Sequence, residues 1–167
     1  MKLNFRTLFI WGSLISLLML SFAYILEYGF NLEPCPLCLL QRYALWAVFG
    51  TLAIGAIHNG KVIARTIYCM SIFLFSITGI ALAARHVWLQ HYAPSEISNC
   101  MAGLDRMLAY EPFLEVLKEI LFHTSAECAR IDFTFLTLSL PAWSLIGFIS
   151  FAVFSLVVGW LQIKRRI

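Results

Sequence analysis

The sequence predicts an all-α membrane protein, a bundle of four transmembrane helices, and two observations support this fold class. Hydrophobic residues make up 61% of the chain and charged residues only 13%, whereas soluble domains carry about 25% charged residues. The charges that are present bracket long uncharged runs. Nothing in these runs alternates with the period of two that a membrane β-barrel requires, so helices must satisfy the backbone in lipid.

Each uncharged run is close to the length that a spanning helix needs, about 20 residues for ~30 Å of hydrocarbon. Lys2 and Arg6 precede the first run as in a signal peptide, but no small-residue cleavage site ends it, so we expect an uncleaved helix. The sequence therefore predicts a single integral membrane domain over residues 1–167. The expected spans are approximately 7–26, 43–60, 66–86 and 142–163, and the expected periplasmic loops are 27–42 and 87–141.

The charges also predict the topology. Seven of the 12 Lys and Arg residues lie at the N-terminus, in the link between the second and third runs, or at the C-terminus, and all nine Asp and Glu residues lie in the other segments. In a chain with four spans these three basic segments are on one side. The positive-inside rule places that side, with both termini, in the cytoplasm. The net charge of +3 gives no indication of nucleic-acid binding.

The second outer loop is too long for a plain connection. Its segment EPFLEVLKEILF, residues 111–122, has apolar residues at helical spacing and Pro112 near its start. We expect a short amphipathic helix here, lying at the membrane surface or packed on the loop itself. The apolar segment 131–141 is too short to span, and we expect it to lie along the interface and lead into the fourth span.

Four cysteines are expected on the outer side, Cys35 and Cys38 in EPCPLCLLQR and Cys100 and Cys128 in the second loop. A bacterial periplasm is oxidising, and spacing alone leaves three pairings open. The cysteines could form structural disulfides, bind zinc or carry redox chemistry. Zinc sites with four cysteines usually have two close pairs, which the second loop lacks. A disulfide across a Cys-x-x-Cys ring constrains little chain and is more often labile and catalytic, which favours redox chemistry.

Cys38 stands where the second helix should begin, and Arg42 follows one helical turn later. The positive end of a helix dipole stabilises a thiolate, and a cation at i+4 lies on the same face. We therefore expect a lowered pKa for Cys38. A lipid-soluble oxidant could reach the pair there, and Arg42 could hold a quinone oxygen. The alternative for Arg42 is an interfacial arginine that extends to the lipid headgroups.

The segments PCPLCLLQR, CA at 128–129 and LSLPAW at 138–143, together with four spans and a second outer cysteine pair, resemble the DsbB family. The resemblance covers most of the chain in order. It implies a thiol:quinone oxidoreductase of the bacterial inner membrane. Such a protein reoxidises a periplasmic DsbA-type dithiol oxidase and passes the electrons to ubiquinone or menaquinone.

The resemblance also implies residue roles. Cys38 would face the quinone, Cys100 would form the mixed disulfide with DsbA, and Cys128 would exchange with Cys35. The implied catalytic residues are Cys35, Cys38, Cys100 and Cys128, and the implied quinone-binding residues are Arg42 and His86. For His86, the alternative is an ordinary interfacial histidine.

Three residues depart from the family pattern or fall outside it, and one of them is Arg85, which adds charge beside His86. Gln41 stands where some members have an acidic residue, and Cys69 is alone within the third span, where we expect a buried, inert thiol. Two other functions also fit the sequence. One is a DsbB-like paralogue that serves a dedicated thiol partner, and the other is a non-enzymatic four-span protein with structural disulfides.

Overall fold

A computed structural model of the chain describes residues 4–30, 35–58, 60–92, 134–135 and 137–164. Its helices are α1 (Phe5–Phe30), α2 (Pro36–His58), α3 (Val62–Tyr92) and α4 (Leu140–Lys164), and its strands are β1 (Thr134–Phe135) and β2 (Leu138–Ser139). All four helices are long and apolar enough to cross a membrane. The predicted four-helix membrane bundle is therefore confirmed. The predicted amphipathic helix lies outside the described residues, as do Cys100 and Cys128.

The helices extend beyond the uncharged runs, because a charged residue can stop contact with lipid without stopping a helix. α2 begins at Pro36, so the segment 36–42, which the sequence assigned to a loop, is helical. Proline suits this first position because its missing N–H is not needed there. α3 has 31 residues, which at 1.5 Å each give a length of about 46 Å, more than the ~30 Å of hydrocarbon.

The bundle is built by neighbouring helices in chain order, with α1 against α2, α2 against α3 and α3 against α4. Side chains of α1 and α4 also meet, because the rings of Phe9 and Phe154 have centroids 6.3 Å apart. Large apolar residues on the outside, such as Leu18 and Ile57, are 70% and 81% exposed. An apolar exterior of this kind suits lipid rather than water.

One face of α3 carries a buried seam in which residues recur three or four positions apart. Its members are Cys69, Ile72, Ser76, Gly79, Ala83 and His86. Small residues in such a seam let membrane helices approach closely, and a Cβ atom added to Gly79 would collide with the Phe148 ring of α4. His86 continues the same seam toward the C-terminal end of α3. Its side chain therefore points into the bundle and not toward lipid.

The segment before α4 reverses direction, which the sequence interpretation missed. β1 and β2 pair antiparallel, with Thr134 opposite Ser139 and Phe135 opposite Leu138. Two-residue hairpin turns require positive φ angles and are usually marked by Gly or Asn. Thr137 adopts a φ of 68° here, so the expected marker is absent from the sequence. The segment predicted to lie along the interface thus forms a short hairpin that leads into α4.

Candidate redox site

Cys35 occupies the N-cap position of α2. Its carbonyl oxygen accepts the N–H of Leu39 at 3.1 Å, the first hydrogen bond of the helix. Its Sγ atom accepts the backbone N–H of Cys38 at 3.3 Å, the role that a Ser or Asp side chain usually has at an N-cap. The helix terminus therefore acts directly on the sulfur of Cys35. The sequence interpretation had assigned this effect to Cys38.

The two sulfur atoms of the pair are in contact, with Sγ atoms 3.0 Å apart. They differ in access, since Cys35 is 6% exposed whereas Cys38 is half-buried. Cys35 belongs to a small buried apolar cluster of α2 and α3 residues, and the partly buried Leu39 and Leu40 pack against it. The first turn of α2 thus holds a close pair of sulfurs of which Cys38 is the more accessible.

His86 of α3 faces this pair from across the helix interface. Its Nε2 atom lies 3.8 Å from the Sγ of Cys35, and its Nδ1 atom lies 4.0 Å from the Sγ of Cys38. The imidazole is 2% exposed, which does not fit the alternative of an ordinary interfacial histidine. The structure brings together three of the residues that the sequence singled out.

Gln41 contacts His86, and the sequence did not predict this contact. Its side chain is 5% exposed, and its amide nitrogen lies 3.2 Å from Nδ1 of His86. When the amide donates to Nδ1, the ring proton is on Nε2 and points toward Cys35. A signal was available, because a residue three positions after Cys38 lies on the same helix face. Only the position of α3 shows that His86 is the partner.

Arg42 follows Cys38 by one turn of α2, and its side chain extends toward α1. Its guanidinium forms an ion pair with Glu27 of α1, and its central carbon lies 4.4 Å from the centroid of the Tyr24 ring. The Arg42 and Glu27 side chains are 13% and 21% exposed. Among the described residues, the ion pair and the ring contact of Arg42 are both with α1, and the sequence did not predict this partner helix.

Cys69 is buried, as the sequence predicted. It belongs to the large core cluster that includes Ile72 and Phe148, whereas Cys35 belongs to a separate cluster near the end of the bundle. A Cβ atom added to Gly159 of α4 would lie 3.7 Å from the Cβ of Cys69. The thiol therefore packs between α3 and α4, apart from the candidate site.

Comparison with known proteins places this arrangement in a family. The family model for disulfide bond formation protein DsbB matches residues 5–158 of the chain. The chain belongs to the DsbB family. This match contains Cys35 at the N-cap of α2, Cys38 within α2 and His86 in α3, so the site described above lies within the matched part of the chain.

Several curated members of the DsbB family are similar over nearly their whole length. The disulfide bond formation protein B of Nitrosococcus oceani is 38% identical over 93% of this chain and 92% of its own. That of Chromohalobacter salexigens is 40% identical over 93% and 91%. Disulfide bond formation protein B 1 of Pseudomonas aeruginosa is 38% identical over 96% of each chain. Family membership and four membrane-capable helices identify a multi-pass membrane protein.

Proposed function

We propose that this protein is a membrane disulfide oxidase that reoxidises a periplasmic DsbA-type dithiol protein and passes the electrons to a membrane quinone. The observation that carries the proposal is the Cys35–Cys38 pair, whose sulfurs lie 3.0 Å apart at the N-terminus of α2. Membership of a family named for disulfide bond formation supports it. DsbA is a strong oxidant at ≈ −120 mV, so its reoxidation needs an acceptor stronger than glutathione.

The relay proceeds by thiol–disulfide exchange. A DsbA thiolate attacks Cys100 of a Cys100–Cys128 disulfide, which releases the Cys128 thiolate, and the second DsbA thiol then releases Cys100 and leaves DsbA oxidised. The outer thiolates exchange with the inner disulfide, Cys128 attacking Cys35, so that the outer disulfide reforms and Cys35 and Cys38 become reduced. The inner pair closes again by giving two electrons to quinone, with two protons completing the quinol.

Cys35 and Cys38 have different surroundings that suit different steps. The Sγ of Cys35 accepts the N–H of Cys38 and faces Nε2 of His86, so two groups can donate to a Cys35 thiolate when the inner pair is reduced. Hydrogen bonds to a charged group contribute about 1.5–3 kcal/mol. Cys38 is the more open sulfur, which supports its assignment as the atom that passes electrons to the quinone.

The surroundings of Arg42 fit a quinone oxygen. A guanidinium has five N–H donors, of which the contact with Glu27 uses one nitrogen, so donors remain for a ligand. The Tyr24 ring lies beside the guanidinium and apolar side chains occupy the first turns of α2, which supports binding of an apolar ring near Arg42. A bound quinone supplies the two-electron acceptor, while Arg42 would fix the position of one ring oxygen and stabilise negative charge there.

The proposed location is the bacterial inner membrane with both termini in the cytoplasm. Arg65, in the basic link, contacts Gln162 near the end of α4 at 3.5 Å and lies 5.0 Å from the Phe5 ring at the start of α1. These contacts join the start of α1, the start of α3 and the end of α4 at the end of the bundle opposite the Cys35–Cys38 pair. The arrangement supports a cytoplasmic basic end and a periplasmic thiol end.

The test uses purified protein in detergent with reduced DsbA and either ubiquinone or menaquinone, followed by quinone absorbance. We expect catalytic loss of the quinone signal that requires both the protein and DsbA. Loss of signal with a reduced small dithiol but not with DsbA would indicate a paralogue with a dedicated partner. No loss under any of these conditions, with cysteines that resist mild reductant, would indicate structural disulfides and refute the proposal.

A further inference from the structure

We propose that the reduced Cys35–Cys38 pair and His86 form a binding site for Zn²⁺ or a similar soft divalent cation, and that the bound ion blocks oxidation of the pair. The Sγ atoms and a ring nitrogen of His86 all lie within 4.8 Å of one another. The binding part of this proposal stands by itself, whereas the blocking part rests on the proposed function. This ligand set differs from the four-cysteine site that the sequence disfavoured, because it uses one cysteine pair and a histidine.

The separation of Cys35 Sγ and His86 Nε2 is close to that of a tetrahedral zinc site, whereas the Sγ of Cys38 lies 4.0 Å from Nδ1 and must move toward Nε2. Bonds of about 2.3 Å to sulfur and 2.0–2.1 Å to nitrogen place sulfur and nitrogen ligands about 3.6 Å apart and two sulfurs about 3.8 Å apart. The observed separation of Cys35 Sγ and His86 Nε2 is 3.8 Å, and that of the two sulfurs is 3.0 Å. The sulfurs need to separate by about 0.8 Å. Rotation of Cys38, the half-buried member, can supply this movement.

Gln41 completes the site by contacting the ring nitrogen of His86 that does not bind the ion. A metal-bound histidine donates the N–H of its other ring nitrogen to an acceptor that fixes the ring. With Nε2 bound to the metal, Nδ1 carries the proton, and the Gln41 amide is 3.2 Å from that atom. A half-turn of the amide places its oxygen there as the acceptor without changing the side-chain shape. Both Gln41 and His86 are buried, so the arrangement is rigid.

The chemistry of the ligands determines which ion binds and requires that the Cys35–Cys38 pair be reduced. Thiolate and imidazole ligands suit zinc and not the oxygen-preferring Mg²⁺ or Ca²⁺. Binding releases the two thiol protons and transfers no electrons, so the Cys35–Cys38 disulfide cannot bind the ion in the same way. The open side of Cys38 leaves a fourth position for water. Since both sulfurs are ligands, neither is available to form the disulfide, and quinone reduction must wait for release of the ion.

The binding test uses the full chain in detergent with Cys69→Ala, Cys100→Ser and Cys128→Ser, which leaves only the inner pair of thiols. The reduced protein is titrated with Zn²⁺ against a chromophoric chelator, and Cd²⁺ thiolate absorbance counts the sulfur ligands. We expect one ion and two thiolates per chain, and no binding after oxidation. The affinity should fall about 10- to 100-fold in Gln41→Leu, a change of the group behind the ligand, and further in His86→Ala.

Two results would overturn the binding site. One is the absence of saturable Zn²⁺ binding to the reduced protein. The other is an equal Zn²⁺ affinity of the parent, Gln41→Leu and His86→Ala proteins, which would show that only the two thiols bind the ion. Circular dichroism of each variant checks that the helices are intact.

A separate measurement tests the blocking effect by adding Zn²⁺ to reduced protein before quinone. We expect the reduction rate to fall in proportion to occupancy and to return when a chelator is added. An unchanged rate at full occupancy would refute blocking. If the protein reduces no quinone even without zinc, the proposed function fails and blocking with it, while the titration still decides the binding site.

Discussion

Replacement of Arg42 by methionine tests the proposed quinone contact. The guanidinium is largely buried beside Glu27 and Tyr24, so a quinone oxygen bound there would accept a charge-assisted hydrogen bond in poorly hydrated surroundings. Such a bond contributes about 1.5–3 kcal/mol. At about 1.4 kcal/mol for each factor of ten, Arg42→Met should raise the apparent KM for quinone about 10- to 150-fold. Methionine retains an unbranched apolar side chain, so the packing of α2 should change little.

The assay follows quinone absorbance at saturating DsbA while the quinone concentration is varied. Glu27→Gln is the matched control, because it keeps the arginine and an acceptor oxygen but removes the carboxylate charge. We expect this control to change the KM much less than Arg42→Met does. An Arg42→Met enzyme with an unchanged quinone KM would refute the assignment and leave the arginine with a structural role in joining α1 to α2.

Three further changes test other parts of the account. Cys100→Ser should abolish exchange with DsbA yet leave the inner pair oxidisable by quinone, and turnover of DsbA at the parent rate would mean that the relay order is wrong. His86→Ala should slow oxidation of the reduced inner pair by roughly tenfold or more, because the Cys35 thiolate loses one hydrogen-bond donor. Stopped-flow mixing of the reduced protein with quinone measures this rate, and a rate equal to that of the parent would show that the donor does not matter. Gly79→Ala should lower the free energy of unfolding by about 1–3 kcal/mol, because the added Cβ would collide with the Phe148 ring. Gly50→Ala is the control, because a Cβ there would have nothing within 4 Å and should be tolerated. Equal stability of the two variants in thermal unfolding in detergent would contradict this packing.

The bundle and the first cysteine pair could be predicted because both leave local signals. Lipid requires long apolar segments, and charges at their ends mark them along the chain. The Cys-x-x-Cys spacing with proline and a following arginine identifies the start of α2 without any knowledge of its neighbours. These features depend on residues within one segment, and the structure has the four long helices that the sequence predicted.

The remaining site contacts could not be predicted because they join different helices. Whether Arg42 faces the sulfurs or Glu27 depends on the rotation of α2 against α1, which the sequence does not specify. The partnership of Gln41 with His86 likewise depends on the packing of α2 on α3. Helix spacing showed that Cys38 and Arg42 share a face, but it did not show that the N–H at the helix start would point to Cys35.

The most direct test of the central claim is a single-turnover measurement on the Cys100→Ser, Cys128→Ser variant. The protein is reduced, freed of reductant and mixed with one equivalent of ubiquinone or menaquinone in the absence of DsbA. Quinone absorbance and thiol alkylation at Cys35 and Cys38 are followed together. The account predicts that one quinone is reduced for each Cys35–Cys38 disulfide formed. Thiols that stay reduced while quinone persists, with either quinone, would contradict it.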